Sequence, residues 1–320
     1  MNPSVPSLAG TTLGDYELSH PLGAGAHGYI YEARHRPSGV RVALKTLHAR
    51  VEDAAGDRAL ARFFQEARAV QRIRHRNVVR LYEAGEYRLT GESRLAYFAM
   101  EVVDGVTLAR LAETDGALDH AAACRMAAQA ALGLHAAHTA QVIHRDVKPS
   151  NIMLDVHGRV VLTDFGLCRL ALSPRLTDAR MMVGTIRYAS AEMLAGVEPD
   201  GRMDLFGLGA VLFNLCTGMH LREQHSLPAV VEAVRNDLDR RRVLECAALP
   251  PPLRELLARC VARDAADRPA TGLELAGALD DVADVLGRRR AGAGALPSIL
   301  RAGHGLSARS SSRSGRRGTP

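Results

Sequence analysis

The hydrophobic period of this chain changes once, and that change limits the fold more than any other feature. From Tyr16 to about Val103, apolar and polar residues alternate in YELSHPLG, GYIYEARH, VRVALKTL, RLYEAGEY and RLAYFAMEVV, with Gly, Pro and Ser between the runs. A period of two puts one face of each run against a core, so these runs are strands. One stretch breaks the pattern: Leu60, Phe63, Phe64, Ala67, Val70 and Ile73 recur at three- and four-residue steps, an amphipathic helix over 57–73. From Thr107 onward the spacing is helical. It predicts helices over 119–139, 202–216, 253–261 and 273–286, with NIML and RVVLTD as short strands between the first two. A small sheet-rich lobe followed by a larger helical lobe is an α+β arrangement.

The 320 residues are 47% hydrophobic, enough for a sizeable core and two lobes. The net charge of +6 is misleading. Arg288 to Pro320 holds eight Arg and no Asp or Glu, so the rest of the chain has 33 basic residues against 35 acidic ones. The chain as a whole is therefore not a basic nucleic-acid binder. The Arg-, Gly- and Ser-rich stretch 288–320 buries too little apolar surface to fold and is expected to be disordered. It is expected either to bind polyanions weakly, such as nucleic acid or an anionic membrane surface, or to be a passive end. Residues 1–14 are expected to be a mobile leader. No stretch approaches the roughly 18 apolar residues of a membrane span, and the N-terminus lacks the form of a secretory signal. The five cysteines are scattered, without a C-x-x-C, and read as buried thiols of a reducing compartment. A cytoplasmic location is the expectation.

Three motifs carry chemistry. Gly23, Gly25 and Gly28 punctuate LGAGAHGYI between two strand-like runs. A dinucleotide fingerprint would need a helix there; a glycine hairpin instead lets backbone N–H groups close over nucleotide phosphates. Lys45, in VALK on the next strand, is suited to bridge those phosphates and a helix carboxylate, with Glu66 as partner ahead of Glu52 and Asp53. The decisive motif is His144-Arg-Asp-Val-Lys-Pro-Ser-Asn151, with Asp164-Phe-Gly starting 13 residues later. Phosphoryl transfer to a hydroxyl needs a carboxylate to orient the acceptor, a cation on the phosphate and oxygen ligands for magnesium. Asp146, Lys148, Asn151 and Asp164 supply those types in that order.

With these motifs in order, about residues 16–286 resemble the bacterial eukaryotic-like (Hanks-type) serine/threonine protein kinases. The resemblance implies a bilobal protein-kinase fold. Its N-lobe, 15–103, would be a small antiparallel sheet with one long helix, and its C-lobe, 104–287, mainly helical. It implies transfer of the ATP γ-phosphoryl group to Ser/Thr hydroxyls of protein substrates, with Mg2+ or Mn2+, and autophosphorylation. Leu22 to Ile30 would be the glycine-rich loop, with Ile30 where the family usually has Val, and Lys45 and Glu66 the ion pair of the active conformation. Ala43, Met100 as gatekeeper, Glu101 to Val103 as hinge, and Met153 would complete the nucleotide site. Asp146 would be the catalytic base, Lys148 its serine/threonine-type companion, and Asn151 and Asp164 the metal ligands.

The activation segment would run from Asp164 to Glu192, with Ala191 in place of the usual Pro and Glu192 paired with Arg268. Asp204 would hydrogen-bond the catalytic-loop backbone. TGMHLREQHSL lacks the Pro-Phe that many relatives carry after Thr-Gly, which bears on substrate docking. Arg145 would pair with a phosphorylated activation loop. Thr177 is the expected acceptor, followed by Ser173, with Thr185 a third candidate and a selector of hydroxyl substrates. The alternative is a pseudokinase, an ATP-binding scaffold without turnover. Against it, the only two Lys among 41 basic residues are Lys45 and Lys148. A compact ammonium survives where it meets phosphate, while Arg serves everywhere else.

Overall fold

A computed structural model describes residues 8–25, 28–47, 54–88, 94–165, 186–198, 200–224 and 226–289. Six strands form an antiparallel sheet: β1 (Thr12–Leu13), β2 (Tyr16–Gly25), β3 (Gly28–His35), β4 (Arg41–Leu47), β5 (Leu81–Arg88) and β6 (Arg94–Met100). Their order is β1-β2-β3-β4-β6-β5. Helix α1 (Ala54–Gln71) lies between β4 and β5 in sequence and packs on β5.

The alternation along β4 sorts residues to two faces. Val42 and Leu44 join Tyr16, Leu18, Tyr31 and Tyr97 in one cluster, while Ala43 faces the main core with Phe98, Met100 and Phe63 of α1. Lys45 shares the parity of Ala43 and is therefore drawn inward. Phe63 is fully buried beside Phe64 and Phe98, so truncating it to Ala costs about 3–5 kcal/mol.

The second lobe begins with β7 (Gly105–Thr107), α2 (Leu108–Asp115) and α3 (His120–Thr139), followed by β8 (Ile152–Asp155) and β9 (Val160–Leu162). Strands β7, β8 and β9 make a small antiparallel sheet. Then come α4 (Ala191–Leu194), α5 (Arg202–Thr217), α6 (Leu227–Arg235), α7 (Leu238–Glu245), α8 (Pro251–Cys260) and α9 (Gly272–Arg289). Asp119 caps α3 by accepting from the Ala122 N–H at 3.1 Å. The Ala-rich faces of α3 are buried between α5 and α9, because methyl side chains let helices approach on several sides. Helix α5 is buried from Met203 to Cys216 and ends at Gly218, whose φ of 71° suits a left-handed cap.

The lobes are tied through the turn after α1. The buried Asn77 side chain donates to Val160 O at 2.6 Å, and Leu162 N donates to Asn77 O at 2.9 Å. Gly133 of α3 makes room for this turn: a Cβ there would stand 2.6 Å from Asn77 O.

The leader needs correction over residues 8–14. Thr12–Leu13 pairs with β2, Gly10 N donates to Leu18 O at 2.8 Å, and Leu13 is 1% exposed, so this end is held by a small apolar anchor. Helix α9 also takes Arg288 and Arg289 from the expected tail; residues 290–320 lie outside the described residues.

Candidate active site

The catalytic loop sits between α3 and β8, and α5 holds it from below. Asp204, in the first turn of α5 and 1% exposed, accepts from His144 N and Arg145 N, each at 2.8 Å, and from His138 Nε2 at 2.7 Å. Three donors on one buried carboxylate fix the loop as it turns. The His144 ring is buried, bonds Thr163 O at 2.9 Å and lies 4.5 Å from the Phe165 ring. Arg145 and Asp164 have φ of 62° and 54°. Such left-handed non-glycine residues cost about 1–3 kcal/mol each and persist where surroundings over-determine them.

Within this frame Asp146 Oδ2 accepts from Lys148 Nζ at 2.8 Å and from Asn151 Nδ2 at 2.9 Å. Asn151 Nδ2 also reaches Asp146 O at 2.8 Å. Its nitrogen is thereby committed to Asp146, which orients the amide and leaves Oδ1 as the oxygen available to a hard cation. Asp164 supplies a second hard oxygen donor.

The residues expected to meet the nucleotide gather at the sheet. Gly25 pairs with Gly28 and Gly23 with Ile30 in the β2–β3 hairpin, whose tip, Ala26 and His27, lies outside the described residues. On β4, Lys45 stands between Ile30 of β3 and Phe98 of β6, and Ala43 is in register with Met100. Ala43 and Met100 are each 6% exposed, Ile30 and Val103 pack on the same core, and Leu22 is exposed. Half-buried Met153 lies on β8 opposite Val161.

The expected Lys45–Glu66 ion pair is replaced by two others. Lys45 Nζ lies 2.6 Å from Asp164 Oδ1, and Glu66 Oε1 faces Arg145 Nη1 at 4.0 Å. Asp164 is the carboxylate that takes the Lys45 ammonium. Burial raises the Glu66 carboxyl above its ordinary range, and the Arg145 charge only partly offsets this. Glu66, Arg145, Val70 and Phe165 line a cavity of about 80 Å³ behind the catalytic loop.

Glu101, the expected hinge residue, carries a contact that the sequence did not reveal. Its Oε1 lies 2.5 Å from Arg159 Nη2, and Arg159 Nε reaches Asp155 at 2.9 Å. Burial raises the Asp155 carboxyl, but the Arg159 hydrogen bonds and charge, with backbone N–H donors, hold it below its ordinary value. Arg159 thus braces the hinge from the β8–β9 turn. Arg268 meets Glu192 as expected, in a two-pronged pair at 2.5 and 2.9 Å, without the proline at 191. Ser173, Thr177, Thr185 and Cys168 lie outside the described residues.

Comparison with known proteins agrees with this geometry. A protein kinase domain profile matches residues 16–276. The chain belongs to the protein kinase family. Among curated relatives, this chain is 34% identical to the serine/threonine-protein kinase PkaA of Streptomyces coelicolor, over 85% of the chain and 50% of that protein. It is 31% identical to the serine/threonine-protein kinase PknA of Mycobacterium tuberculosis, over 89% of the chain and 64% of that protein. The chain therefore spans between half and two thirds of the length of these relatives. The crystal structure of the Mycobacterium tuberculosis PknI kinase domain aligns with a TM-score of 0.63 and 26% identity, covering 87% of this chain and 99% of that one.

Among the described residues no group of three or more His, Cys, Asp or Glu is placed to hold a metal. Asn151 and Asp164 nonetheless fit magnesium, which takes few protein oxygens and completes its shell with phosphates and water. No described helix is long and apolar enough to cross a membrane.

Proposed function

We propose that this chain is an ATP- and magnesium-dependent protein serine/threonine kinase, domain 15–287 carrying the activity, with lobes meeting at 103–104. The observation that carries the reading is the Asp146 carboxylate, held by Lys148 and Asn151 on a loop that Asp204 locks. Asp146 would orient the acceptor hydroxyl and take its proton as the oxygen–phosphorus bond forms and the bond to the leaving ADP breaks. Lys148 would balance charge on the transferred group. Leu22, Gly23, Gly25, Gly28, Ile30, Ala43, Met100, Glu101, Val103 and Met153 would enclose the nucleotide. The metal, held by Asn151 and Asp164, would neutralise charge on the phosphates.

Turnover on this reading requires an exchange of partners. Lys45 must leave Asp164 for the phosphates and Glu66, and Arg145 must leave Glu66. A phosphate on Thr177, or on Ser173 or Thr185, would draw Arg145 away, because a dianion offers it stronger hydrogen bonds than a single carboxylate. The scaffold reading is not favoured, since Lys45, Asp146, Asn151 and Asp164 are all retained. A cytoplasmic setting accords with the use of ATP and with the buried thiols of Cys124, Cys216 and Cys260. Polyanion binding by 288–320 rests on composition alone.

Transfer of radiolabel from ATP to generic protein substrates, wild type against Asp146→Asn, tests the reading. Labelling by the wild type alone is expected; equal labelling by both would overturn it. Phosphopeptide mapping of 166–187 tests the regulatory part.

A further inference from the structure

Arg222 is a buried arginine. It lies in Thr217-Gly-Met-His-Leu-Arg222, the stretch without the Pro-Phe that many relatives carry after Thr-Gly, and its side chain is 1% exposed. Nε donates to both oxygens of Asp239 at 2.9 and 3.1 Å, and Nη2 donates to Oδ2 at 2.6 Å. Nη1 reaches Ile186 O at 3.0 Å and Ala189 O at 2.5 Å. The guanidinium also lies over the Phe206 ring of α5 at 5.0 Å, and that of Arg268 lies over the same ring at 5.2 Å.

A buried ion pair gives little net stability, and a packed hydrophobe would serve as well or better. What a phenyl ring cannot do is hold two backbone carbonyls. Those carbonyls belong to the end of the activation segment, the stretch that the family sets against its protein substrate. Two guanidiniums stacked on Phe206 thus grip this stretch at both ends, Arg222 at residues 186 and 189 and Arg268 through Glu192. Between them stands Ala191, where the family's proline would have restricted the backbone. The two departures from the family pattern lie within one hydrogen-bonded unit.

We propose that Arg222, neutralised by Asp239 of α7, is a positioning residue that fixes the acceptor-binding end of the activation segment and replaces the restraint of the missing proline. The proposal rests on the kinase reading for its substrate side, and on geometry alone for the clamp. Lysine is no substitute, since one ammonium cannot meet a carboxylate and two carbonyls in a planar fork. Helix α7 is thereby coupled to the acceptor site through Asp239.

Hydrogen exchange on the wild type, Arg222→Lys and Asp239→Asn is the first measurement. Amides in 186–192 should be protected in the wild type and exchange about tenfold faster in both variants, with 141–151 unchanged. Steady-state kinetics is the second: KM for a protein acceptor should rise about tenfold while KM for ATP and intrinsic ATP hydrolysis stay as in the wild type. Adding Ala191→Pro to Asp239→Asn should recover part of that loss. Unprotected 186–192 amides in the wild type, or an unchanged acceptor KM in a folded variant, overturns the proposal. If Arg222→Lys does not fold, Asp239→Asn and the wild-type protection decide. Exchange requires no turnover, so a chain that transferred no phosphate would sink the kinase reading and leave the clamp to be judged separately.

Discussion

Lys45 and Asp164 form an ion pair: the Lys45 side chain is 6% exposed and its ammonium lies 2.6 Å from Oδ1 of the carboxylate. On the proposed reading, the cation for phosphate and the carboxylate for metal hold each other, and nucleotide with metal must displace both at once. ATP with magnesium is expected to raise the melting temperature of the wild type more than ATP with a chelator. At a hundredfold excess over Kd, the gain is about 2.7 kcal/mol. In Asp164→Asn the difference between the two conditions should vanish. Thermal melts of both proteins check this, and equal shifts with and without magnesium in the wild type would contradict it. Lys45→Met should lower kcat by about 10²–10³, the loss typical of a single charge-stabilising donor.

Glu66 gives a pH dependence with a definite sign. Burial raises its carboxyl above the ordinary value of 4.5, with Arg145 opposing. The folded state then binds the proton more tightly than the unfolded chain, so stability falls as pH rises from the unfolded value through the folded one. Glu66→Gln removes that fall. Its melting temperature should match or exceed the wild type near neutral pH, while its kinase activity drops because Lys45 loses its active-state partner. Melts between about pH 4 and 7 together with a transfer assay check it. A Glu66→Gln protein that is less stable and equally active would refute both halves.

Two helical glycines should respond oppositely to alanine. At Gly277, exposed on α9, a Cβ meets nothing within 4 Å, so Gly277→Ala should stabilise by about 0.5–1 kcal/mol. At Gly133 the Cβ would press on the backbone at Asn77 O, 2.6 Å away, and on Leu162, so Gly133→Ala should destabilise by about 1–3 kcal/mol. Urea unfolding of both variants decides. The second should also loosen the tie between lobes, seen as faster exchange at Val79 and Leu162.

Much of this fold was legible because its signals are local. Strands β2 to β6 announce themselves through period two with Gly and Pro at the breaks, and α3 through its Ala-rich run. Asp146, Lys148 and Asn151 were legible because they lie within one loop, whose short spacing forces them together. What stayed hidden depends on long-range choice. The sequence put Glu66 ahead of Glu52 and Asp53 as the partner of Lys45, and nothing local pointed to Asp164, which lies far along the chain. Arg159 and Arg222 look like any surface arginine until the chain folds, since Glu101 and Ile186 lie far away in sequence. Helices α6 and α7 were not predicted; in α7, LDRRRVLE has too few apolar residues for a helical period to show. Leu13 anchors the leader with a two-residue strand, too short for any pattern.

Glu192 and Arg268 give the last expectation. Arg268 is fully buried, and its pair with Glu192 at 2.5 and 2.9 Å ends the activation segment. Burial pushes the Glu192 carboxyl up, but the Arg268 hydrogen bond and charge, with Ser190, outweigh this and hold it below its ordinary value of 4.5. A depressed carboxyl stabilises the fold above the unfolded value and loses that contribution as pH falls through the folded one. Glu192→Gln should therefore remove part of the acid sensitivity, and at neutral pH destabilise by about 3–5 kcal/mol, because a buried guanidinium is left uncompensated. Ala191→Pro should act in the other direction. Position 191 is the first residue of α4, after Ser190 with an extended ψ of 166°, and proline suits both the helix start and that preceding conformation. A gain of about 0.4–1 kcal/mol is expected from the stiffer unfolded chain. Denaturant unfolding at neutral and acid pH measures both, and a destabilised Ala191→Pro would show that the segment end adopts a backbone that proline cannot follow.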